Sequence, residues 1–145
     1  MAHVGRLDIL VCNAGITGRA GPFVTIDMDD YDRVMAVNLR SQVRLCNLAL
    51  PHIAATGGGA AILVSSLSGL RGNGVINAYA LAKAGVAQLA RNLAVEWGPH
   101  NVRVNALSPG LIRTELSAPL LANDVFMARR MQMTPLRRPS ERSGR

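Results

Sequence analysis

The sequence predicts an α/β fold built on a parallel sheet. Three short strand-like segments alternate with two long helical segments, and this order is typical of parallel strands joined by helices. The 145 residues are enough for one domain of ordinary size. A hydrophobic fraction of 49% and a charged fraction of 17% exclude a disordered polar chain.

The three predicted strands are Leu7–Cys12, Ala60–Ser65 and Val102–Leu107. The first two are almost continuously apolar, which is typical of short strands that are buried on both faces. The third alternates with a period of two, as a half-exposed strand does. Turn sequences follow the first and third strands, at Asn13-Ala14-Gly15 and Pro109-Gly110.

The first helical segment is expected to begin at Asp27, a residue type that caps helices, and to end near Thr56. Asn38 lies inside it and is a poor helix former, so we expect a local kink there. The second helix is predicted over Asn77–Trp97, with an apolar stripe at helical spacing. Residues 116–133 have weak helical periodicity and are predicted to form a mobile apolar flap.

The net charge of +7 is unevenly distributed, because residues 129–145 contribute +5 of it. We therefore predict a folded domain over residues 1–133 and a disordered basic tail over residues 134–145. The tail has arginines but no interleaved aromatic residues, so a solvated tail is expected rather than a nucleic-acid site.

Cys12 and Cys46 are too few for a disulfide framework and lack metal-ligand spacing. The sequence has no export signal and no apolar stretch long enough to span a membrane. These observations predict reduced thiols in a cytoplasmic protein without a metal site.

The candidate catalytic residues are Tyr79, Lys83 and Ser66. Tyr79 and Lys83 are four residues apart on a predicted helix, where an ammonium favours the ionised form of a phenol and makes it a general acid and base. A Tyr-x-x-x-Lys spacing is usually only a solvated pair, but Lys83 is the one lysine in a chain that otherwise uses arginine. Ser66 ends the second strand, at the edge where open α/β sheets bind ligands, and its hydroxyl can bond a substrate carbonyl.

Together these motifs resemble the short-chain dehydrogenase/reductase family, from about Gly5 to Arg138. The resemblance is carried by Asn13-Ala14-Gly15, Asn38, Ser65-Ser66, the Tyr79–Lys83 motif thirteen residues after Ser66, and Ser108-Pro109-Gly110 followed by Thr114.

The resemblance implies a role for each matching residue. Tyr79 would be the proton donor or acceptor, Ser66 would orient the substrate carbonyl, and Lys83 would assist Tyr79 and hold the nicotinamide ribose. Asn38 would hold a proton-relay water. The positions implied to contact NAD or NADP are Asn13, Ala14, Gly15, Tyr79, Lys83, Pro109, Gly110, Ile112 and Thr114.

The resemblance also implies the partners. The substrate would be a small alcohol or ketone, interconverted by hydride transfer, and homo-oligomers would form through the helices over residues 28–55 and 77–97. A noncatalytic remnant that acts as a helix-mediated interaction module is the alternative.

A dinucleotide-binding enzyme is expected to have a strand followed by a Gly-rich turn that binds phosphate. The sequence before Leu7 contains no such strand and turn. The glycines at 15, 18 and 21 have GxxGxxG spacing and read as a flexible turn. The resemblance therefore implies a partial Rossmann-like, doubly wound parallel sheet whose first βαβαβ half, on the order of 80 residues, is absent. The resemblance also implies that the chain stops before the last strand of the fold. The chain would then be a fragment truncated at both its N-terminus and its C-terminus, and Leu7–Cys12 would be an apolar edge strand prone to strand addition.

Overall fold

The computed structural model describes residues 5–141, which form two compact units that divide after Ser108. The first unit holds strands β1 (Ile9–Cys12), β2 (Gly59–Val64) and β3 (Val102–Leu107), and helices α1 (Met28–Met35), α2 (Ser41–Ala55) and α3 (Asn77–Trp97). The second unit holds the short helices α4 (Ala118–Leu121) and α5 (Asp124–Gln132).

The three strands form a parallel sheet in the order β1-β2-β3, which confirms the predicted fold class. Cys12 pairs with Leu63, and Leu63 pairs with Ala106. The carboxyl ends of all three strands therefore lie at one edge of the sheet. The Asn13-Ala14-Gly15 turn and Ser66 both leave the sheet at this edge.

The core of the first unit lies on one face of the sheet, beneath α2 and α3. Leu63 is fully buried on this face, whereas the neighbouring positions on the other face are open: Ile9 is 62% exposed, Val11 56% and Ile62 36%. The prediction that β1 and β2 are buried on both faces is therefore wrong. Both long helices of the first unit pack on the same side, so apolar side chains on the opposite side meet solvent.

The long helical segment begins and ends where the sequence predicts. The Asp27 side chain accepts hydrogen bonds from the backbone N–H groups of Asp29 and Asp30. The predicted kink at Asn38 takes the form of a π-helical turn over Ala36–Arg40, between α1 and α2. Gly57 and Gly58 end the segment with φ values of +99° and +106°, which a residue with a side chain rarely adopts.

The second unit continues beyond α5 into turns that bond back to residues 111–113. The backbone N–H of Arg113 donates to the Ser140 carbonyl at 2.9 Å, and the N–H of Ser140 donates to the Leu111 carbonyl at 3.0 Å. Residues 134–141 thus form turns and a bridge to Ile112. Residues 142–145 of the predicted tail lie outside the described residues. The boundary at residue 133, between a folded domain and a basic tail, stays a prediction.

Residues 116–133, predicted as a flap, contain α4 and α5. No helix in the described part of the chain is long and apolar enough to cross a membrane.

Candidate active site

Lys83 is held at the carboxyl end of β2 through both its side chain and its backbone. It is only 3% exposed, and its Nζ donates to the Val64 carbonyl at 2.7 Å. The Ser65 hydroxyl donates to the Lys83 carbonyl, also at 2.7 Å. Burial lowers the pKa of Lys83 below its ordinary value of 10.5, because the ammonium has lost most of its solvent. Val64 and Ser65, the two residues that precede Ser66, therefore fix the position of Lys83.

Tyr79 lies one helical turn before Lys83, on the same side of α3. The Lys83 Nζ is 5.6 Å from the centre of the Tyr79 ring, which is half-buried. The predicted pair is thus together in the structure, with a fixed cation beside the aromatic ring and part of the ring open to a ligand.

Asn38 is fully buried in the π-helical turn and bonds the loop that follows β1. Its Oδ1 accepts from the Ile16 N–H at 2.8 Å, and its Nδ2 donates to the Ile16 carbonyl at 2.7 Å. These two bonds place Gly15 against the site, because a Cβ built on Gly15 would lie 3.2 Å from Asn38 Oδ1 and 3.4 Å from Lys83 Nζ. Gly15, Asn38 and Lys83 therefore meet, although they come from a loop and two helices.

Ser66 begins a short 3-10 turn, Leu67–Gly69, that packs on α3. Its Oγ accepts from the Ser68 N–H at 3.1 Å, which leaves the hydroxyl proton available to a ligand. Gly69 approaches the α3 backbone so closely that a Cβ there would lie 2.6 Å from the Lys83 carbonyl carbon. The turn thus holds Ser66 beside the helix that carries Tyr79 and Lys83.

Asp30, in the first turn of α1, is a positioning residue. Its Oδ2 accepts from the Arg19 N–H at 2.6 Å, and its Oδ1 accepts from Arg33 Nη2 at 2.6 Å. The bond from the Arg19 backbone, with help from Arg33, lowers the pKa of Asp30 below 3.8. Asp30 thereby holds the same loop that Asn38 holds at Ile16. Asp27 alone caps α1, so the further acidic residue at position 30 is a weak sequence signal for this second role.

The remaining predicted cofactor residues are divided between the two units. Asn13 and Ala14 are exposed at the end of β1, in the first unit. Pro109, Gly110, Ile112 and Thr114 are in the second unit. Within it, the Thr114 hydroxyl and Ser117 form a reciprocal cap on a short 3-10 turn, and the Ser117 hydroxyl donates to the Ile112 carbonyl at 2.6 Å.

An open cleft of about 340 Å³ in the first unit is separate from the Tyr79–Lys83 pair. It is lined by Ala80, Leu81 and Ala84 of α3, and by the loop that follows Ser66. Those positions lie on a different side of the helix from Tyr79 and Lys83, as the rotation of 100° per residue requires. The cleft therefore does not contain the Tyr79–Lys83 pair.

The chain matches a family model described as enoyl-(acyl carrier protein) reductase over residues 1–143. It is 42% identical over 142 residues to cis-4-hydroxycyclohexanecarboxylate dehydrogenase of Sinomonas cyclohexanicum, covering 97% of this chain and 57% of that enzyme. The chain belongs to the short-chain dehydrogenase/reductase family. As the coverage shows, this short-chain dehydrogenase/reductase spans about half the length of the curated relatives it matches.

Solved structures of the short-chain dehydrogenase/reductase family have the same fold over the matched region. A gluconate 5-dehydrogenase from Burkholderia cenocepacia, in complex with NADP and tartrate, superposes with a TM-score of 0.92 at 31% identity and covers 97% of this chain and 55% of that chain. A 7α-hydroxysteroid dehydrogenase complexed with NADH and 7-oxo glycochenodeoxycholic acid superposes with a TM-score of 0.88 at 33% identity, covering 97% and 54%. The three-stranded sheet with its helices is therefore part of a Rossmann-type fold.

Proposed function

We propose that this chain carries the catalytic residues of an NAD(P)-dependent oxidoreductase that interconverts a small alcohol and the corresponding ketone or aldehyde. The observation that carries the proposal is the buried Lys83 beside Tyr79, next to the end of β2. The relatives support the reaction class, because one is named for oxidising a hydroxycyclohexanecarboxylate and two solved neighbours hold NADP or NADH.

The residues around Lys83 fit a nicotinamide ribose. The ammonium uses one proton on the Val64 carbonyl, which leaves two donors for ribose hydroxyls. Gly15 keeps the adjoining space free of a side chain, since a Cβ would lie 3.4 Å from Lys83 Nζ. When bound, NAD(P) supplies the hydride acceptor or donor. We propose that the residues holding it are Asn13, Ala14, Gly15, Tyr79, Lys83, Pro109, Gly110, Ile112 and Thr114.

Proton transfer is assigned to Tyr79. In alcohol oxidation its oxygen takes the hydroxyl proton, and in reduction it returns a proton to the carbonyl oxygen. The Lys83 ammonium lies beside Tyr79, with its Nζ 5.6 Å from the ring centre, and the Ser66 hydroxyl is the donor that orients the substrate oxygen. We propose that Asn38 holds the proton-relay water while its side-chain amide keeps Ile16, and hence Gly15, in place.

The test uses the chain with NAD⁺ or NADP⁺ and cis-4-hydroxycyclohexanecarboxylate as the probe alcohol, followed by the absorbance of the reduced nicotinamide. Tyr79→Phe removes the phenolic oxygen and is expected to lower kcat by about 10²- to 10⁴-fold. Tyr31→Phe is the matched control, because Tyr31 is half-buried against the cluster that contains Val34 and has no assigned role in catalysis, so this variant should retain full activity. Turnover by Tyr79→Phe at the native rate would refute the assignment, and a folded chain that reduces neither cofactor would refute catalysis by this chain.

We also propose that the chain forms homo-oligomers through the helices over residues 28–55 and 77–97. The observation in favour is that apolar side chains stand exposed on both: Leu45 and Leu48 on α2, and Leu81 and Val95 on α3. Leu48→Lys should lower the mass measured by sedimentation, whereas Tyr79→Phe should leave it unchanged. If Leu48→Lys sediments like the native chain, this surface is not the interface. If assembly persists without turnover, the noncatalytic interaction module is the better description.

We propose a cytoplasmic location because of the state of the two cysteines. Cys12 and Cys46 both lie in the buried core and are free thiols. Free thiols are typical of reducing compartments. Fractionation of the source cells, with the chain detected by antibody, tests the location, and recovery outside the cytoplasm would refute it.

A further inference from the structure

Gln42 is a buried amide that the proposed mechanism does not use. Its side chain is only 1% exposed, yet within residues 5–141 neither Nε2 nor Oε1 has a hydrogen-bond partner on the protein. A buried amide without hydrogen bonds is costly, so natural proteins almost always give such groups a partner. The amide of Asn38 shows the usual situation, because both of its polar atoms bond Ile16.

The position of Gln42 connects it to the candidate active site. It lies in the first turn of α2, one turn after Asn38 and one turn before Cys46, and all three are buried. The π-helical turn Ala36–Arg40 ends two residues before Gln42. A π turn departs from the regular i→i−4 pattern, and water commonly inserts where that pattern is interrupted.

We propose that Gln42 binds an internal water molecule beside the π-helical turn. The water supplies the partner that the amide lacks, and its remaining hydrogen-bonding groups reach the backbone of the turn. Buried waters typically make about three hydrogen bonds to polar groups that would otherwise be unsatisfied. The bound water stabilises the π turn and so holds Asn38 in its contact with Ile16. Water binding by Gln42 is independent of the proposed catalytic function. Its role as a positioning residue for the active site rests on that function.

The experiment is NMR spectroscopy of the isotopically labelled chain, combined with thermal unfolding. The side-chain amide signal of Gln42 is assigned by its disappearance in Gln42→Met, which has a similar length but no polar group. We expect the native signal to show a cross-peak to a long-lived water. Gln88→Met is the matched control, because the Gln88 side chain already bonds Asn92 and Arg91 at the surface.

Water binding and a bare amide predict opposite effects of Gln42→Met on stability. If Gln42 holds a water, the substitution removes its hydrogen bonds and lowers Tm by about 2 to 5 °C. It should also speed hydrogen exchange at the Ile16 N–H, which Asn38 protects, and Gln88→Met should do neither. A bare amide would instead give a higher Tm in Gln42→Met, because a desolvated polar group has been removed.

A higher Tm in the variant, or no water cross-peak at the native Gln42 amide, would overturn the proposal. If Gln42→Met does not fold, the native signal can be assigned by through-bond experiments, and its water cross-peak then decides. None of these measurements depends on turnover. Water binding by Gln42 can therefore be refuted while the proposed oxidoreductase function stands, and the oxidoreductase function can be refuted while water binding stands.

Discussion

Gly69→Ala adds one methyl group where the turn after Ser66 meets α3. A Cβ at this position would lie 2.6 Å from the Ala84 nitrogen and 2.6 Å from the Lys83 carbonyl carbon. Both atoms belong to the backbone of a 21-residue helix and cannot rotate away as a side chain would. The φ of Gly69 is not positive, so the effect of the substitution is steric and not conformational.

The size of the effect follows from the distances. Ordinary contacts begin at 3.4 Å, so the turn must move about 0.8 Å away from α3. Overpacking of this kind costs about 1 to 3 kcal/mol. For a chain of this length each kcal/mol lowers Tm by roughly 2 to 4 °C, which gives an expected fall of about 2 to 12 °C. Because Ser66 begins the displaced turn, its hydroxyl should also move relative to Tyr79 and catalysis should weaken.

The assay is thermal unfolding followed by circular dichroism, with hydrogen exchange at the Ser68 N–H as a local probe. Gly72→Ala is the control in the same loop, because a Cβ on Gly72 meets nothing within 4 Å and its φ is not positive. That variant should be neutral, or more stable by up to about 1 kcal/mol. If Gly69→Ala melts at the temperature of Gly72→Ala, the turn does not pack on α3 as described.

Three further changes test other contacts. Asn38→Leu strands the buried N–H and carbonyl of Ile16 and should lower the free energy of unfolding in urea by about 2 to 6 kcal/mol; a loss below 1 kcal/mol would contradict the two bonds. Asp30 has a folded pKa below 3.8, so its charge stabilises the fold above that pH and the stabilisation is lost as pH falls through the folded pKa. The free energy of unfolding of Asp30→Asn should therefore fall less steeply on acidification than that of the native chain, and an equally steep fall would refute this. β1 is an edge strand, and Val11→Lys should reduce aggregation by strand addition in sedimentation, whereas Val24→Lys, at an exposed site elsewhere, should not; equal effects of the two substitutions would exclude β1 as the site of strand addition.

The local features of the site could be predicted because they depend on neighbours along the chain. The bounds of the Asn77–Trp97 helix follow from apolar periodicity, and that helix alone places Tyr79 one turn from Lys83. The bond from Lys83 to the Val64 carbonyl could not be predicted in the same way. It joins residues 19 apart and exists only because α3 packs against the end of β2.

The sequence by itself determined the order of strands and helices, the cap at Asp27 and the Tyr79–Lys83 spacing, because apolar periodicity and capping act within a few residues. Tertiary structure alone decided which face of the sheet is covered, since the sequence of an apolar strand such as Ile9–Cys12 does not indicate on which face the helices will pack. It also decided which polar groups find partners. Asn38 bonds Ile16 across 22 residues, while the Gln42 amide, one turn further on, has no hydrogen-bond partner among residues 5–141. Hydrogen bonds between distant residues depend on the packing of whole elements, which local propensity does not specify.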